Sequence, residues 1–148
     1  MVTHMLIATD GSQLADKAVD EGLALATKTG ARVTVLTVTE TWSAAEMANR
    51  ARAGAENPVE DYNRIISRQA SEVLGRASAK AAGLNVPCET FHKSDSTPAE
   101  AIVEEAERRH CDMIVMASHG RRGLDRILLG SQTMRVLAMT TRPVLVYR

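Results

Sequence analysis

Hydrophobic and polar positions alternate along this chain in two distinct periods. Residues 4–9, "HMLIAT", make a short apolar run closed by the turn signal "DGS". Ser12 then stands where a helix cap belongs, ahead of Ala15, Ala18, Val19, Gly22, Leu25 and Ala26 at helical spacing. Gly30 marks the stop, because glycine adopts the left-handed conformation that ends many helices. The β-branched run "RVTVLTV" (32–38) predicts a second strand. Residues 39–58 are less regular: "SAAEMANRARAGAEN" favours helix locally but carries no strong apolar stripe, and the stretch reads as a mobile excursion. Asn57 as cap, Pro58 at the first position and Glu60 at the third then open a longer helix. Its stripe, from Val59 and Tyr62 to Ala77 and Ala81, reads as packing, and Gly83 ends it.

The second half repeats the pattern. "VPCETF" (86–91) reads as a third strand, its proline suited to a sheet edge. Thr97-Pro98-Ala99-Glu100 has the form of a capping box, Thr97 capping and Glu100 reaching back. The helix it opens runs to about His110, buried along Ala101, Ile102, Ala106 and the stem of Glu105. "DMIVMA" (112–117) is a strand apolar on both faces, "SQTMRVLAMT" (131–140) a short helix, and "PVLVY" (143–147) a last strand. Five strands alternating with four helices predict an α/β fold, a doubly wound parallel sheet with helices on both faces. Such sheets bind ligands beyond the carboxyl ends of their strands, where the winding reverses.

Composition narrows the function. A chain of 148 residues fits one domain, spanning 1–148. Aromatics are 3%, so Ala, Val, Leu, Ile and Met must build the core. Lys+Arg and Asp+Glu are both 18, which gives no broad attraction for nucleic acid or an anionic membrane; any anion site is local. No apolar run approaches the ~18–20 residues of a membrane span, and "MVTHMLIATDG" lacks the features of a signal peptide. Cys88 and Cys111 form no C-x-x-C pair and read as small core residues of a protein from the reducing cytoplasm. His4, His92 and His110 show no metal-ligand spacing.

Candidate chemistry concentrates in "ASHGRRGLDRILLGSQT" (117–133). Gly120 permits close approach of a ligand; Gly130 and Ser131 stand where a helix begins, and Thr133 lies in its first turn. Backbone N–H groups, a helix N-terminus and hydroxyls are what a phosphate site needs. Arg121 and Arg122 are suited to a terminal phosphate. Asp10, after the first strand, is either a turn residue satisfying its own backbone or a ligand for a metal ion or a ribose hydroxyl. His119 is either a phosphate contact or an exposed loop residue. Ser118 and His119 are neighbours, which does not by itself make a nucleophile and base. Walker A, G-x-G-x-x-G and G-x-S-x-G patterns are all missing.

These residues carry a resemblance. The chain resembles a universal stress protein of the nucleotide-binding kind, whose signature is G-x2-G-x9-G-[ST]. Here it reads Ala117-Ser118-His119-Gly120, nine residues 121–129, then Gly130-Ser131, with alanine in place of the first glycine. "IATDGS", "CDMIVMASHG" and "RPVLVYR" extend the likeness over essentially the whole chain. The resemblance implies a sheet ordered 3-2-1-4-5 and an adenine nucleotide, ATP or else ADP, AMP or cyclic AMP, across strands one and four. It puts Asp10 near the ribose and phosphates, with Mg as a metal carried by ATP. Val38 would offer backbone contacts to adenine, and Met116 and Ala117 would line base and ribose. Gly120, Gly130, Ser131 and Thr133 would hold phosphate, with Ala8, Thr9, Ser118, His119, Arg121, Arg122 and Gln132 completing the contact set. It also implies a homodimer through the last strand, Val144–Tyr147, which fits a short apolar edge that needs cover. Two function classes follow: a nucleotide-binding regulatory module in the stress response, or a slow ATPase or self-phosphorylating enzyme on the same site. The first is favoured, because the loop holds no general base and no lysine for a γ-phosphate.

Overall fold

A computed structural model describes residues 1–94, 96–120 and 129–148. The first strand, β1 (His4–Ala8), is buried at every position, as an unalternating apolar run must be when both sheet faces are covered. Ser12 caps α1 (Gln13–Thr29), its Oγ accepting from Ala15 N at 3.2 Å, and Gly30 closes it at φ 71°. Leu23, not Leu25, is the fully buried leucine of this helix. β2 (Arg32–Val38) follows.

The next stretch departs from the irregular excursion expected of it. It holds α2 (Ala44–Arg52), capped by Ser43 Oγ on Glu46 N at 3.2 Å. Met47 is the helix's one buried residue, so there is no stripe for periodicity to detect. The helix rests on its cap, its alanines and Arg50, which lies 5.4 Å over the Tyr62 ring. The described residues therefore hold five helices, not four. After α2 come α3 (Pro58–Gly83), β3 (Cys88–Lys93), α4 (Pro98–Arg108), β4 (Met113–Ala117), α5 (Ser131–Met139) and β5 (Val144–Tyr147). Asn57 does precede α3, but its side chain caps nothing; its Nδ2 donates to Glu60 Oε2 at 2.8 Å.

All strand pairs are parallel, in the order β3-β2-β1-β4-β5. The winding runs outward from β1 to β3, then crosses back to β4, so it reverses between β1 and β4. Helices α1 and α3 cover one face, where Val19, Leu23, Leu74 and Ala77 pack on Met5, Ile7, Val33 and Val115. Helices α4 and α5 cover the other, where Ala99, Ile102, Ala106 and Val136 pack on Leu6, Leu36, Ile114 and Met116. Glu105 of α4 departs from expectation. It buries its carboxylate as well as its stem and is 3% exposed. That carboxylate accepts from Arg108 at 2.5 Å and Arg109 at 3.1 Å and pairs with Lys93 at 3.5 Å. Burial alone would raise its pKa, but the hydrogen bonds from Arg108 and Arg109 outweigh that and hold it below the ordinary carboxylate value.

Polar groups at the amino ends of the strands are bonded to one another. His4, 2% exposed, sets Nε2 2.9 Å from Thr34 Oγ1 and Nδ1 3.1 Å from Arg109 O. Burial, with help from the Arg32 charge, keeps its pKa below the ordinary histidine value. Asp112 Oδ2 accepts from Thr3 Oγ1 and Thr3 N, each at 2.7 Å, and from His4 N at 2.9 Å, which pulls that carboxyl down to about 2.

Candidate functional site

The opposite end of the sheet is built from two loops. After β1, Thr9 Oγ1 accepts from Gly11 N at 3.1 Å and Asp10 Oδ1 from Ser12 N at 3.0 Å. Side chains thus fix the turn that lets Gly11 sit at φ 75°. Thr9 N donates to Leu36 O at 2.9 Å and Thr37 Oγ1 donates to Thr9 O at 3.0 Å, tying this turn to β2. Asp10 therefore does serve its own turn, and its carboxylate also faces the second loop. A Cβ on Gly120 would collide with Asp10 Oδ2. The pairing of β1 with β4, which periodicity could not establish, brings these two loops together.

The second loop is pinned where it leaves β4 and where it enters α5. Ser118 N donates to Tyr147 O at 2.7 Å, and Gly130 N donates to Ser118 O at 2.7 Å. Thr133 Oγ1 donates to Ala117 O at 3.1 Å and to Ser118 O at 2.9 Å. A Cβ on Gly130 would lie 3.0 Å from Ser118 O and 3.2 Å from His119 Cα. Backbone thus lies close to Gly130, and the Thr133 hydroxyl ties the first turn of α5 to the end of β4. Ser118 is 3% exposed, with Oγ 3.0 Å from His119 Nδ1. Arg121 and Arg122 lie outside the described residues.

Between the loops opens a cavity of about 530 Å³, within the range of ~300–1,000 Å³ usual for small-ligand sites. Ala8, Thr9 and Asp10 at the end of β1, Val38 at the end of β2, and Met116 and Ala117 at the end of β4 form its floor. His119, Gly120 and Gly130 edge it, and Ser131, Gln132 and Thr133 of the first turn of α5 close one end. Of the described residues singled out by sequence, only Ser118 is not on its wall. An α-helix leaves its first N–H groups without intrahelical partners, and its dipole makes that end positive, so this end of the cavity favours an anion.

The other end is apolar, and sequence reasoning missed it. Ile66, Ala70 and Val73 of α3 stand on one side, and Pro98 and Ile102 of α4, with Leu36, on the other; Thr39, Glu40 and Gln69 add polar positions. Ala70 and Val73 belong to the stripe that read as packing only, and nothing local separates a stripe facing a cavity from one facing a core. Gln132 is also used differently than expected. Its Oε1 accepts from Ala99 N at 3.1 Å, whereas Thr97 makes no side-chain cap and Glu100 bonds Arg135 at 3.0 Å. The capping box of α4 is therefore not formed. Among the described residues no cluster of three His, Cys, Asp or Glu side chains could hold a metal ion; Asp10 contributes one carboxylate. Nor is any described helix long and apolar enough to cross a membrane.

Known proteins share this sequence pattern and this fold. The model of the universal stress protein family matches residues 1–148. Universal stress protein YxiE of Bacillus subtilis is 30% identical over 152 residues, covering 100% of both chains. The solved structure of protein MJ0577, from Methanocaldococcus jannaschii, superposes with a TM-score of 0.79 at 26% identity, covering 99% of this chain and 96% of that one. A universal stress protein family protein of Arabidopsis thaliana, solved with AMP bound, has a TM-score of 0.68 at 18% identity, covering 98% of this chain and 90% of that one. With a matched family model along its whole length, a relative 30% identical over its full length, and the sheet order that the resemblance implied, this chain belongs to the universal stress protein family.

Proposed function

We propose that this protein binds an adenine nucleotide across the carboxyl ends of β2, β1 and β4 and acts as a nucleotide-responsive regulatory module in the stress response. The observation that carries this reading is one cavity with two unlike ends. A flat base would lie among Ile66, Val73, Leu36 and Ile102, and phosphate would meet the N-terminal turn of α5 at Gly130–Thr133; all of these residues line the cavity. The AMP-bound Arabidopsis relative supports adenine as the base. ATP is the nucleotide we favour, with ADP, AMP and cyclic AMP as ligands of the same site. Asp10 would hold Mg arriving with ATP, the ion screening phosphate charge, while Met116 and Ala117 line the base and ribose. Cys88 and Cys111, both free thiols, suit the cytoplasm.

Mass spectrometry of ligand carried through purification, followed by calorimetry with each nucleotide, tests the reading. Heat of binding with at least one adenine nucleotide is expected; none at millimolar concentration overturns it. Hydrolysis should stay slower than ~1 per second, the low end for dedicated enzymes, because no lysine stands in residues 117–133 to meet a γ-phosphate.

The same reading includes a homodimer through β5. Ile114 N donates to Pro143 O and Ser118 N to Tyr147 O, so the odd-numbered residues of β5 face β4 and the N–H groups of Val144 and Val146 point to the open edge. Leu145 on this strand, with Met134 and Leu137 on α5, is exposed. Val146→Pro removes an outward donor without touching the β4 ladder. It should yield a monomer by light scattering, and a wild type that is monomeric at micromolar concentration refutes the dimer.

A further inference from the structure

We propose that Gln132 is the positioning residue of this site: its side chain supplies the cap that α4 lacks, and so fixes the base-facing wall against the phosphate-facing turn. The inference rests on the nucleotide reading above and adds a residue that acts through the protein rather than on the ligand.

Helix α4 begins at Pro98, which has no N–H, so Ala99 carries the first N–H of the helix proper. Thr97 occupies the cap position with extended backbone but makes no side-chain bond. Glu100, the other half of the capping box, is drawn to Arg135. Ala99 is 0% exposed, so its N–H has poor access to water and is costly to leave unpaired. The partner comes from 33 residues away: Gln132 Oε1 at 3.1 Å. An N–H only donates, so the atom facing it must be the amide oxygen.

Placement makes this bond more than a cap. Gln132 is the second residue of α5, between Ser131 and Thr133, at the anion-favouring end of the cavity. The same turn is tied to the end of β4 through Gly130 N and Thr133 Oγ1. On the far side of the Gln132 bond, Pro98 and Ile102 of α4 form the apolar wall. Just before α4, Ser96 N donates to Thr39 O at 3.3 Å, joining this segment to the end of β2. A belt of hydrogen bonds thus runs from β4 through α5 and α4 to β2, and Gln132 is its link between the phosphate end and the base end. The parallel tie, Arg135 with Glu100, is about half exposed on both sides, and such surface pairs hold weakly.

Calorimetry of Gln132→Met, nearly isosteric but without the acceptor, with adenosine and with AMP tests the proposal. If Gln132 positions the wall, both affinities fall by the same factor, about tenfold or ~1.4 kcal/mol, and their ratio holds. Adding Thr97→Asp, a strong cap acceptor for the second helical N–H, should restore adenosine binding. Loss of AMP affinity alone would make Gln132 a direct phosphate contact and overturn the inference. So would unchanged affinity for both ligands with a lowered melting temperature, or a double variant that restores nothing. Should Gln132→Met fail to fold, Gln132→Asn carries the test: its amide is one methylene too short for Ala99 N, so both affinities should fall about tenfold with their ratio kept, and unchanged affinities overturn the proposal. A wild type that binds neither ligand overturns the nucleotide reading, and this inference with it; a wild type that binds both while Gln132→Met binds equally well overturns the positioning role alone.

Discussion

The two ends of this sheet use polar residues in opposite ways. At the amino ends, His4 lies between Thr34 and Arg109, and Asp112 gathers Thr3 and the His4 N–H. At the carboxyl ends, Thr9, Asp10, His119 and the first turn of α5 surround a cavity of about 530 Å³. The difference follows from parallel winding. Each crossover helix runs back against its strands, so helix N-termini, with their orphan N–H groups and positive dipole ends, collect at the strands' carboxyl ends. One end can therefore be closed by side chains for stability, while the other keeps donors facing open space. Binding and stability should separate accordingly.

The sharpest test of that separation is Gly130→Val. Its Cβ would press on Ser118 O and His119 Cα, forcing α5 off the loop that pins it. Nucleotide binding should weaken by about 2 kcal/mol or more, the scale of losing charge-assisted contacts to an anion, as read by calorimetry. Urea unfolding should show a smaller loss, since the buried strands are untouched. A stability loss larger than the binding loss would erase the distinction between the two ends.

The converse variant is His4→Leu. It fills the space but leaves Thr34 Oγ1 and Arg109 O without the imidazole. Stability should drop by about 1–2 kcal/mol, the usual cost of stranding buried polar groups, with nucleotide affinity unchanged in calorimetry.

Acid titration refines this in the wild type. His4 in the folded protein holds its proton less tightly than the ordinary 6.5, because of burial and then the Arg32 charge, against weaker opposing pulls from the Arg109 carbonyl, Glu89 and Asp112. The unfolded chain therefore binds more protons, and this contribution is complete above pH ~6.5 and erodes as pH falls below it. Asp112 contributes in the same direction lower down. Its folded value is about 2 against an ordinary 3.8, so its share is complete above pH ~4 and is lost as pH falls toward ~2. Urea midpoints measured across this range should decline in both windows in the wild type. In His4→Leu only the upper decline should vanish.

The smallest effect concerns the signature position occupied by Ala117. This residue ends β4, is absent from the positive-φ residues, and packs against Ala15 and Ala18, so no unusual backbone demands glycine. Ala117→Gly should change nucleotide affinity by less than about tenfold, or ~1.4 kcal/mol. A wild type that binds nothing beside an Ala117→Gly variant that binds ATP at micromolar concentration would show that the methyl group blocks the site.

Much of this was legible from residue order. Short apolar and β-branched runs located four of the strands, β3 was expected at 86–91 and lies at Cys88–Lys93, and Ser12 and Gly30 located both ends of α1. The Gly120 to Gly130-Ser131 spacing marked the loop that frames the cavity. Helix α2 escaped because it buries one residue, Met47, and periodicity registers burial rather than helicity. The capping box at Thr97–Glu100 failed for the opposite reason: the local pattern was right, but Gln132 and Arg135 offered the same groups other partners.

The sequence by itself determined which segments are strands, which are helices, and where glycine and hydroxyl residues gather, because those choices depend on neighbours within a few positions. Only tertiary structure decided that Ile66 and Val73 face a cavity instead of a core, that Asp10 meets Gly120, and that a glutamine in α5 caps α4. Each of those facts joins residues 30 or more positions apart in the chain, and burial and hydrogen bonding are indifferent to that distance once the sheet order β3-β2-β1-β4-β5 has brought the segments together.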